Sequence, residues 1–314
     1  RKPSVKIAVV GCGAMGSVYA ALLAKAGNEI WAVDVWQEHV DAIRANGLHI
    51  EGASGDNTVV LNATTEASEV GACELVILAT KARHVRAAAK SVVGMLAPEA
   101  PVLTIQNGLG SGDAAAAALG AARVTIGVAG GFGAKMLGPG HACHEGMEMI
   151  RLGEMEGPVT ARLEAIAKVW SNAGFRVKCF DDIHQLIWEK LICNGTFSAV
   201  CTLTGLTAGG VLDDADAWAV ASACASEGAA VARAKGISLD FDDAVAYVHA
   251  FGSKIRDGRP SMWQDMDAGR PGEIDAINGA IAGAGKAAGV DTPTHDTLTA
   301  LVRAAEVARG IREG

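Results

Sequence analysis

Gly11, Gly13 and Gly16 stand between four consecutive apolar residues, 7–10, and an alanine-rich stretch that runs to Gly27. A short buried strand, a tight turn and a helix opening on glycines leave few folds available. Gly11 permits the tight turn, Gly13 lets backbone approach an anion, and Gly16 lets the helix pack on the strand, while the helix N-terminus offers free N–H groups. Gly11-Cys12-Gly13-Ala14-Met15-Gly16 is therefore the candidate cradle for a dinucleotide pyrophosphate. A second apolar strand, 29–33, stops at Asp34, which follows Gly11 by 34 − 11 = 23 residues. At that spacing a carboxylate can accept bonds from both adenosine ribose hydroxyls.

The same acid discriminates between cofactors. A 2′-phosphate about 4 Å from a carboxylate costs on the order of 4 kcal/mol per pair of unit charges at an effective dielectric near 20. NAD is the expected cofactor and NADP the less favoured one. Lys81, after the third apolar strand, and Arg44 are the residues that could argue for NADP.

Further short apolar runs at 75–79, 101–105 and 124–128 are separated by helical stretches, the pattern of a parallel sheet covered on both faces. Another strand is expected over 147–152, with Gly138-Pro139-Gly140 turning a hairpin before it. Beyond Asp181 the periodicity is helical, over 186–200, 215–235, 242–255, 273–288 and 294–309. The expected fold is an α/β Rossmann-type dinucleotide-binding domain, 1–180, followed by an all-α domain, 181–314. A length of 314 residues suits two domains. Half the residues are hydrophobic, which excludes a disordered chain, and a net charge of −8 without a basic run argues against nucleic-acid or membrane-surface partners.

The cysteines number seven and none has the two-residue spacing of a zinc or thioredoxin motif, so reduced thiols in a cytoplasm are expected. The apolar stretch after Arg1 and Lys2 is too short for a signal-peptide core. A charge-free window, 191–212, has the length of a membrane span, but its glycines and polar residues favour a buried, broken helix.

Between Asp182 and Asp213 only Glu189 and Lys190 are charged, and Leu191, Ile192 and Cys193 follow directly. On a helix Lys190, Asn194 and Ser198 fall at i, i+4 and i+8, presenting an ammonium, an amide and a hydroxyl on one face. Burial of such a lysine would suit it to giving a proton to a developing alkoxide. The bland reading is a lysine that reaches solvent beside Glu189. Ser261 with Gln264, and Glu273 before the Ile274, Ile277, Ile281 stripe, likewise have bland readings: a capping box, and an acid in the first turn of a helix.

Taken together, Gly11 to Gly16, Thr80-Lys81, Gln106-Asn107-Gly108-Leu109-Gly110, Trp188-Glu189-Lys190-Leu191 with Asn194, Ser261-Met262-x-Gln264-Asp265 and Glu273-Ile274-Asp275-x-Ile277-Asn278-Gly279 resemble the ketopantoate reductases. These are NAD(P)-dependent reducers of 2-oxo acids with a Rossmann-type domain followed by a helical one. The resemblance implies that Lys190 is the catalytic lysine and Glu273 the acid that holds the lysine and the substrate hydroxyl. Asn194 and Ser261 are similar to substrate contacts, Ser198 stands where an asparagine is common, and Asn107 matches an asparagine near nicotinamide and substrate. Asp34 and Val35 stand where NADP-using members place a basic residue, and Pro260 replaces a small polar residue. The implied reaction interconverts a small 2-oxo acid and its 2-hydroxy acid, 2-dehydropantoate and pantoate in the family's name. A dehydrogenase of a branched or aromatic 2-hydroxy acid and a non-catalytic dinucleotide sensor are the alternatives. The number of subunits is left open, a homodimer being one option.

His84 and His184 are candidates for a histidine acid and base in a 3-hydroxy acid or opine dehydrogenase, a rival reading. His141, Cys143 and His144 invite a metal reading, but they lie in the expected hairpin without a second cluster, so no metal is expected. Trp263 is read as a core aromatic that could border an apolar substrate pocket.

Overall fold

The computed structural model describes residues 4–131, 133–146 and 148–313. The chain divides into two compact units. Unit one runs to Gln106 and resumes over Ser111–Ile183; unit two takes Asn107–Gly110 and the chain from His184 onward. The sequence places 107–110 with the first domain, whereas the structure clusters them with the second.

Among the described residues unit one contains twelve strands: β1 (Lys6–Val10), β2 (Glu29–Val33), β3 (Leu48–Gly52), β4 (Asn57–Val59), β5 (Asn62–Thr64), β6 (Leu75–Leu78), β7 (Val102–Thr104), β8 (Val124–Gly130), β9 (Gly133–Gly138), β10 (His141–Gly146), β11 (Met149–Glu154) and β12 (Val177–Cys179). Its helices are α1 (Ala14–Lys25), α2 (Gln37–Asn46), α3 (Val85–Ser91), α4 (Ser111–Leu119) and α5 (Ala161–Asn172). Eight strands form one sheet in the order β12-β11-β8-β7-β6-β1-β2-β5, parallel except where β11 runs against β8. Its central strands are buried on both faces. Ile7 and Val9 join one apolar cluster and Ala8 and Val10 the other, which is why β1 reads as a continuous apolar run rather than an alternation. Tyr19, Trp170 and Phe175 close the first cluster edge to face, with centroids 4.8 to 6.0 Å apart.

The expected hairpin forms as β9 and β10, but in a second sheet, β4-β3-β10-β9, that the sequence reading did not anticipate. Its inner face, Leu48, Ile50 and Ala142, joins the cluster around α1. The strand expected over 147–152 starts at Met149; Met147 lies outside the described residues.

Unit two is helical: α6 (Ile183–Thr204), α7 (Ala208–Asp213), α8 (Ala215–Ala234), α9 (Ala244–Lys254), α10 (Ser261–Asp267), α11 (Asn278–Ala288) and α12 (Pro293–Ala308). The apolar window ends in a break at Gly205, whose φ is +72°, while Gly209 and Gly210 lie within α7. Among the described residues no helix is long and apolar enough to cross a membrane. The helix expected over 273–288 begins only at Asn278, which leaves Glu273 in the preceding turn.

Candidate active site

In unit one each glycine of the first turn has a distinct steric reason. Gly11 takes φ +91°, and a Cβ there would lie 2.6 Å from the Thr80 nitrogen. A Cβ on Gly16 would lie 2.0 Å from the Gly11 carbonyl oxygen. Around Gly13 a Cβ would meet nothing within 4 Å, so the space there is open above the start of α1. Gly13 caps that helix without a side-chain hydrogen bond, and the first turn carries no acid. Free amides, open space and the positive end of a helix fit a pyrophosphate.

The side chain of Cys12 is not part of that cradle. It is wholly buried, its Sγ donates to the Val9 carbonyl at 3.6 Å, and burial followed by the Asp34 charge pushes its thiol well up. Cys12 therefore offers backbone alone. Ala14 and Met15 are half-buried at the start of α1.

Asp34 follows the carboxyl end of β2, half-buried, with Oδ1 accepting the Trp36 N–H at 3.0 Å. Arg44, one of the two cations considered for a 2′-phosphate, is committed elsewhere: Nε donates to the Ala63 carbonyl at 2.7 Å and Nη2 meets Glu69 at 3.3 Å. Lys81, the other, is half-buried after β6, at the start of a short 3-10 turn. His39 is buried behind this corner. Burial, outweighing Asp34 and the Cys12 backbone, lowers its pKa, and its Nδ1 accepts the Gly140 N–H at 2.8 Å, so Nε2 carries the proton.

Two further polar atoms at the carboxyl edge of the sheet escaped the sequence reading as site residues. Thr80 Oγ1, beyond β6, and Gln106 Oε1, beyond β7, are buried without a hydrogen-bond partner. The amide end of Gln106 is fixed on the Leu78 carbonyl, which aims its oxygen. Orphaned acceptors at the carboxyl ends of parallel strands fit a ligand that crosses the sheet edge there. Thr80 and Gln106 had entered only through the motifs that contain them.

In unit two, α6 carries Lys190 and Asn194 half-buried and Ser198 buried, with Leu191, Ile192 and Cys193 packed in the core between them. The neighbouring acid has its own partners. Glu189 is buried and its Oε1 accepts from Gln185 at 3.0 Å and from the Asp240 N–H at 2.8 Å, so it anchors a loop.

Glu273 is 8% exposed, and its carbonyl closes a turn by accepting the Ala276 and Ile277 N–H groups. The helix-dipole reading of Glu273 is therefore corrected: the acid precedes α11 by a full turn. That turn is pinned from several sides. The Gly272 N–H donates to the buried Glu306 at 2.7 Å, and Arg303 and Arg312 bind Asp275 at 2.7 and 2.9 Å. Burial would raise the Asp275 carboxyl, but the two guanidiniums outweigh it and hold the pKa below the usual value.

Asn107–Gly110 joins the same turn. The Leu109 N–H donates to the Ala276 carbonyl at 3.0 Å, and Gly108, at φ +87°, would place a Cβ 2.2 Å from that oxygen. Asn107, half-buried, is thereby tethered to the segment that carries Glu273.

A buried network that the sequence reading missed fixes α6 against α11 and α12. Asn278 Nδ2 donates to the Gly195 carbonyl at 2.9 Å and meets His295 Nδ1 at 3.1 Å, while His295 Nε2 reaches the Cys224 carbonyl at 3.0 Å. Burial lowers the His295 pKa, so the ring is neutral with its proton on Nε2. Gly195 is required because a Cβ would stand 2.9 Å from Ile281 and 3.1 Å from the His295 ring.

Ser261 departs from its bland reading. It is the first residue of α10 rather than the cap, Pro260 stands at the cap without a side-chain bond, and Gln264 donates to the Arg259 carbonyl. No capping box forms, and the Ser261 side chain is exposed. Trp263 is half-buried with the Arg259 guanidinium 4.0 Å from its ring centroid, so one face is covered by a cation. His84 is exposed, its Nε2 accepting from Arg83 at 3.0 Å; burial and then Arg83 lower its pKa. His184 is exposed at the start of α6.

Comparison with known proteins gives the family. Residues 7–157 match the family model for ketopantoate reductase PanE/ApbA, and residues 182–306 match that for its C-terminal part. The chain belongs to the ketopantoate reductase family. A 2-dehydropantoate 2-reductase of Lactococcus lactis is 31% identical over 307 residues, covering 96% of this chain and 98% of that protein. The crystal structure of a PanE/ApbA family ketopantoate reductase from Ralstonia eutropha superposes with a TM-score of 0.89 at 32% identity, covering 97% of this chain and 99% of that one. The ternary structure of D-mandelate dehydrogenase with NADH and anilino(oxo)acetate does so with a TM-score of 0.89 at 30% identity, over 98% of this chain and 100% of that one. The ketopantoate reductase reading of the sequence and the expected fold class both stand.

Proposed function

We propose that this chain is an NAD-preferring reductase that converts a small 2-oxo acid, 2-dehydropantoate in the first instance, to its 2-hydroxy acid. The observation that carries the reading is the polar face of α6, with Lys190 and Asn194 half-buried and Ser198 buried, in a chain whose residues 7–157 and 182–306 match the family. The dinucleotide would be held by the backbone of 11–16, with Asp34 on the adenosine ribose and Lys81 and Asn107 as further contacts. When bound, its reduced nicotinamide supplies hydride for the carbonyl carbon.

The chain's own residues manage charge and protons. Lys190, as ammonium, donates a hydrogen bond to the carbonyl oxygen, stabilises the negative charge that develops there and transfers the proton from Nζ. Glu273 orients that ammonium and accepts from the product hydroxyl. Asn194, Ser198 and Ser261 hold the substrate, with Lys190 and Ser261 meeting its carboxylate. The NAD preference rests on Asp34, while Arg44 bonds the Ala63 carbonyl and Glu69.

The likeness to D-mandelate dehydrogenase favours a second reading, an NAD-dependent dehydrogenase of an aromatic or branched 2-hydroxy acid. Initial rates with NADH and NADPH on a panel of aliphatic, branched and aromatic 2-oxo acids separate the two. Lys190→Ala is expected to lower kcat by roughly 10²- to 10⁴-fold on the best substrate. Full activity in that variant, or dinucleotide binding without turnover of any acid, refutes the proposal.

A further inference from the structure

On the outer face of the small sheet, β3 and β10 run parallel with His141 opposite His49 and Cys143 opposite Glu51. Strand alternation explains the sorting. Leu48, Ile50, Ala142 and His144 point inward and are buried, while His49, Glu51, His141 and Cys143 share the half-exposed face. The trio of His141, Cys143 and His144 considered from sequence is therefore split across the sheet, and a different set converges.

The His49 and His141 rings stack with centroids 4.1 Å apart and an interplanar angle of 13°. Glu51 Oε2 lies 2.9 Å from His141 Nε2, and Asp56 Oδ1 lies 2.8 Å from His49 Nε2. One donor atom from each of His49, Glu51 and His141 falls within a common separation of 4.8 Å.

We propose that His49, Glu51 and His141 bind a divalent first-row transition-metal ion of the zinc type, with Asp56 as the outer carboxylate that orients His49. Two imidazoles and a carboxylate form a donor set that favours zinc and its neighbours over calcium or magnesium. Charge supports the same assignment, since the carboxylates of Glu51 and Asp56 together balance a dication. Metal bonds of about 2.0 to 2.2 Å put tetrahedral donors about 3.4 Å apart, so the 2.9 Å Glu51–His141 hydrogen bond opens and the stacked His49 and His141 rings turn their in-plane lone pairs toward the ion, a shift that half-exposed side chains make by rotation. The ion would tie β3 to β10, segments about 90 residues apart in the chain, and would stabilise the sheet that covers α1.

Calorimetric titration of the full chain with zinc chloride in chelator-free buffer tests this, with thermal melts in zinc and in EDTA. The expected result is one saturable site per chain, lost or weakened at least about tenfold in His49→Gln and in His141→Gln, and weakened on the order of tenfold in Asp56→Asn. Zinc should raise the melting midpoint of the wild type by a few degrees and leave the histidine variants unmoved. Circular dichroism of the zinc-free variants establishes that they fold. Affinity unchanged in both histidine variants, affinity abolished only by Cys143→Ser, or no saturable binding at about 100 μM zinc would each overturn the assignment.

Discussion

Replacing Asp34 with Asn removes the charge to which the proposed NAD preference is assigned. The hydrogen bond that the Asp34 carboxylate accepts from the Trp36 N–H at 3.0 Å survives, because an amide oxygen accepts as a carboxylate oxygen does. The electrostatic change can be bounded. For unit charges about 4 Å apart the interaction is about 4 kcal/mol at an effective dielectric of 20 and about 1 kcal/mol in bulk water. Asp34 is half-buried, so its environment lies between these limits. A dielectric near 40 gives about 2 kcal/mol, or roughly a 30-fold change in relative affinity. The assay is kcat/KM for NADH and NADPH at saturating 2-oxo acid, measured in wild type and variant at one ionic strength. The NADPH to NADH ratio should rise by about 30-fold, partly through weaker NADH binding as an ionised ribose contact becomes neutral. The melting midpoint should stay near that of the wild type. A ratio that moves by less than about threefold would show that Asp34 does not face the 2′ position, and the NAD assignment would lose its physical basis.

The glycines of the first turn should separate fold from binding. Gly13→Ala, set in open space at an ordinary φ of −64°, should melt like the wild type yet bind NADH at least about tenfold more weakly as its methyl fills the cradle. Gly16→Ala must displace backbone and should lower the melting midpoint; calorimetry on both variants checks the contrast. The buried network predicts acid sensitivity. The folded-state pKa of His295 is depressed by burial below its ordinary value of 6.5, so its contribution to stability is present above that pH and is lost as pH falls below it, where the unfolded chain takes up the proton first. Urea midpoints between pH 7.5 and 5 should fall, and the slope should be shallower in His295→Asn; equal slopes would refute the linkage. Asn278→Ala leaves His295 Nδ1 without its partner and removes the second bond to the Gly195 carbonyl, at about 1 to 3 kcal/mol, and a shift of less than about 0.5 kcal/mol in urea unfolding would contradict the network.

Much of unit one was legible because its signals are local. The glycine spacing, the strand that ends at Asp34 and the apolar run before Thr80 each depend on a few neighbouring residues and on the period of a strand or helix. The helical half was legible from the uncharged face around Lys190 and from the Ile274, Ile277, Ile281 stripe. The failures share a cause. Ser261 and Gln264 have the spacing of a capping box, yet Pro260 takes the cap position and Gln264 turns to Arg259. Glu273 has the composition of a first helical turn, yet Gly272, Asp275 and Ala276 are held by Glu306, Arg303, Arg312 and Leu109, and the helix begins later.

By itself the sequence determined the strands β1, β2, β6, β7 and β8, the helical character of unit two, that a glycine turn opens α1, and which charged residue of α6 stands amid apolar neighbours. Backbone torsions and side-chain periodicity act over a few residues, so a linear reading reaches them. Only the tertiary structure decided that β3 and β10 pair, that His49 and Glu51 meet His141, that Asn107–Gly110 joins the helical unit, and that Asn278 and His295 lock α6 in place. Those outcomes rest on hydrogen bonds and packing between residues tens of positions apart, where the partner of a buried polar group is fixed by the fold and leaves no mark in the local spacing.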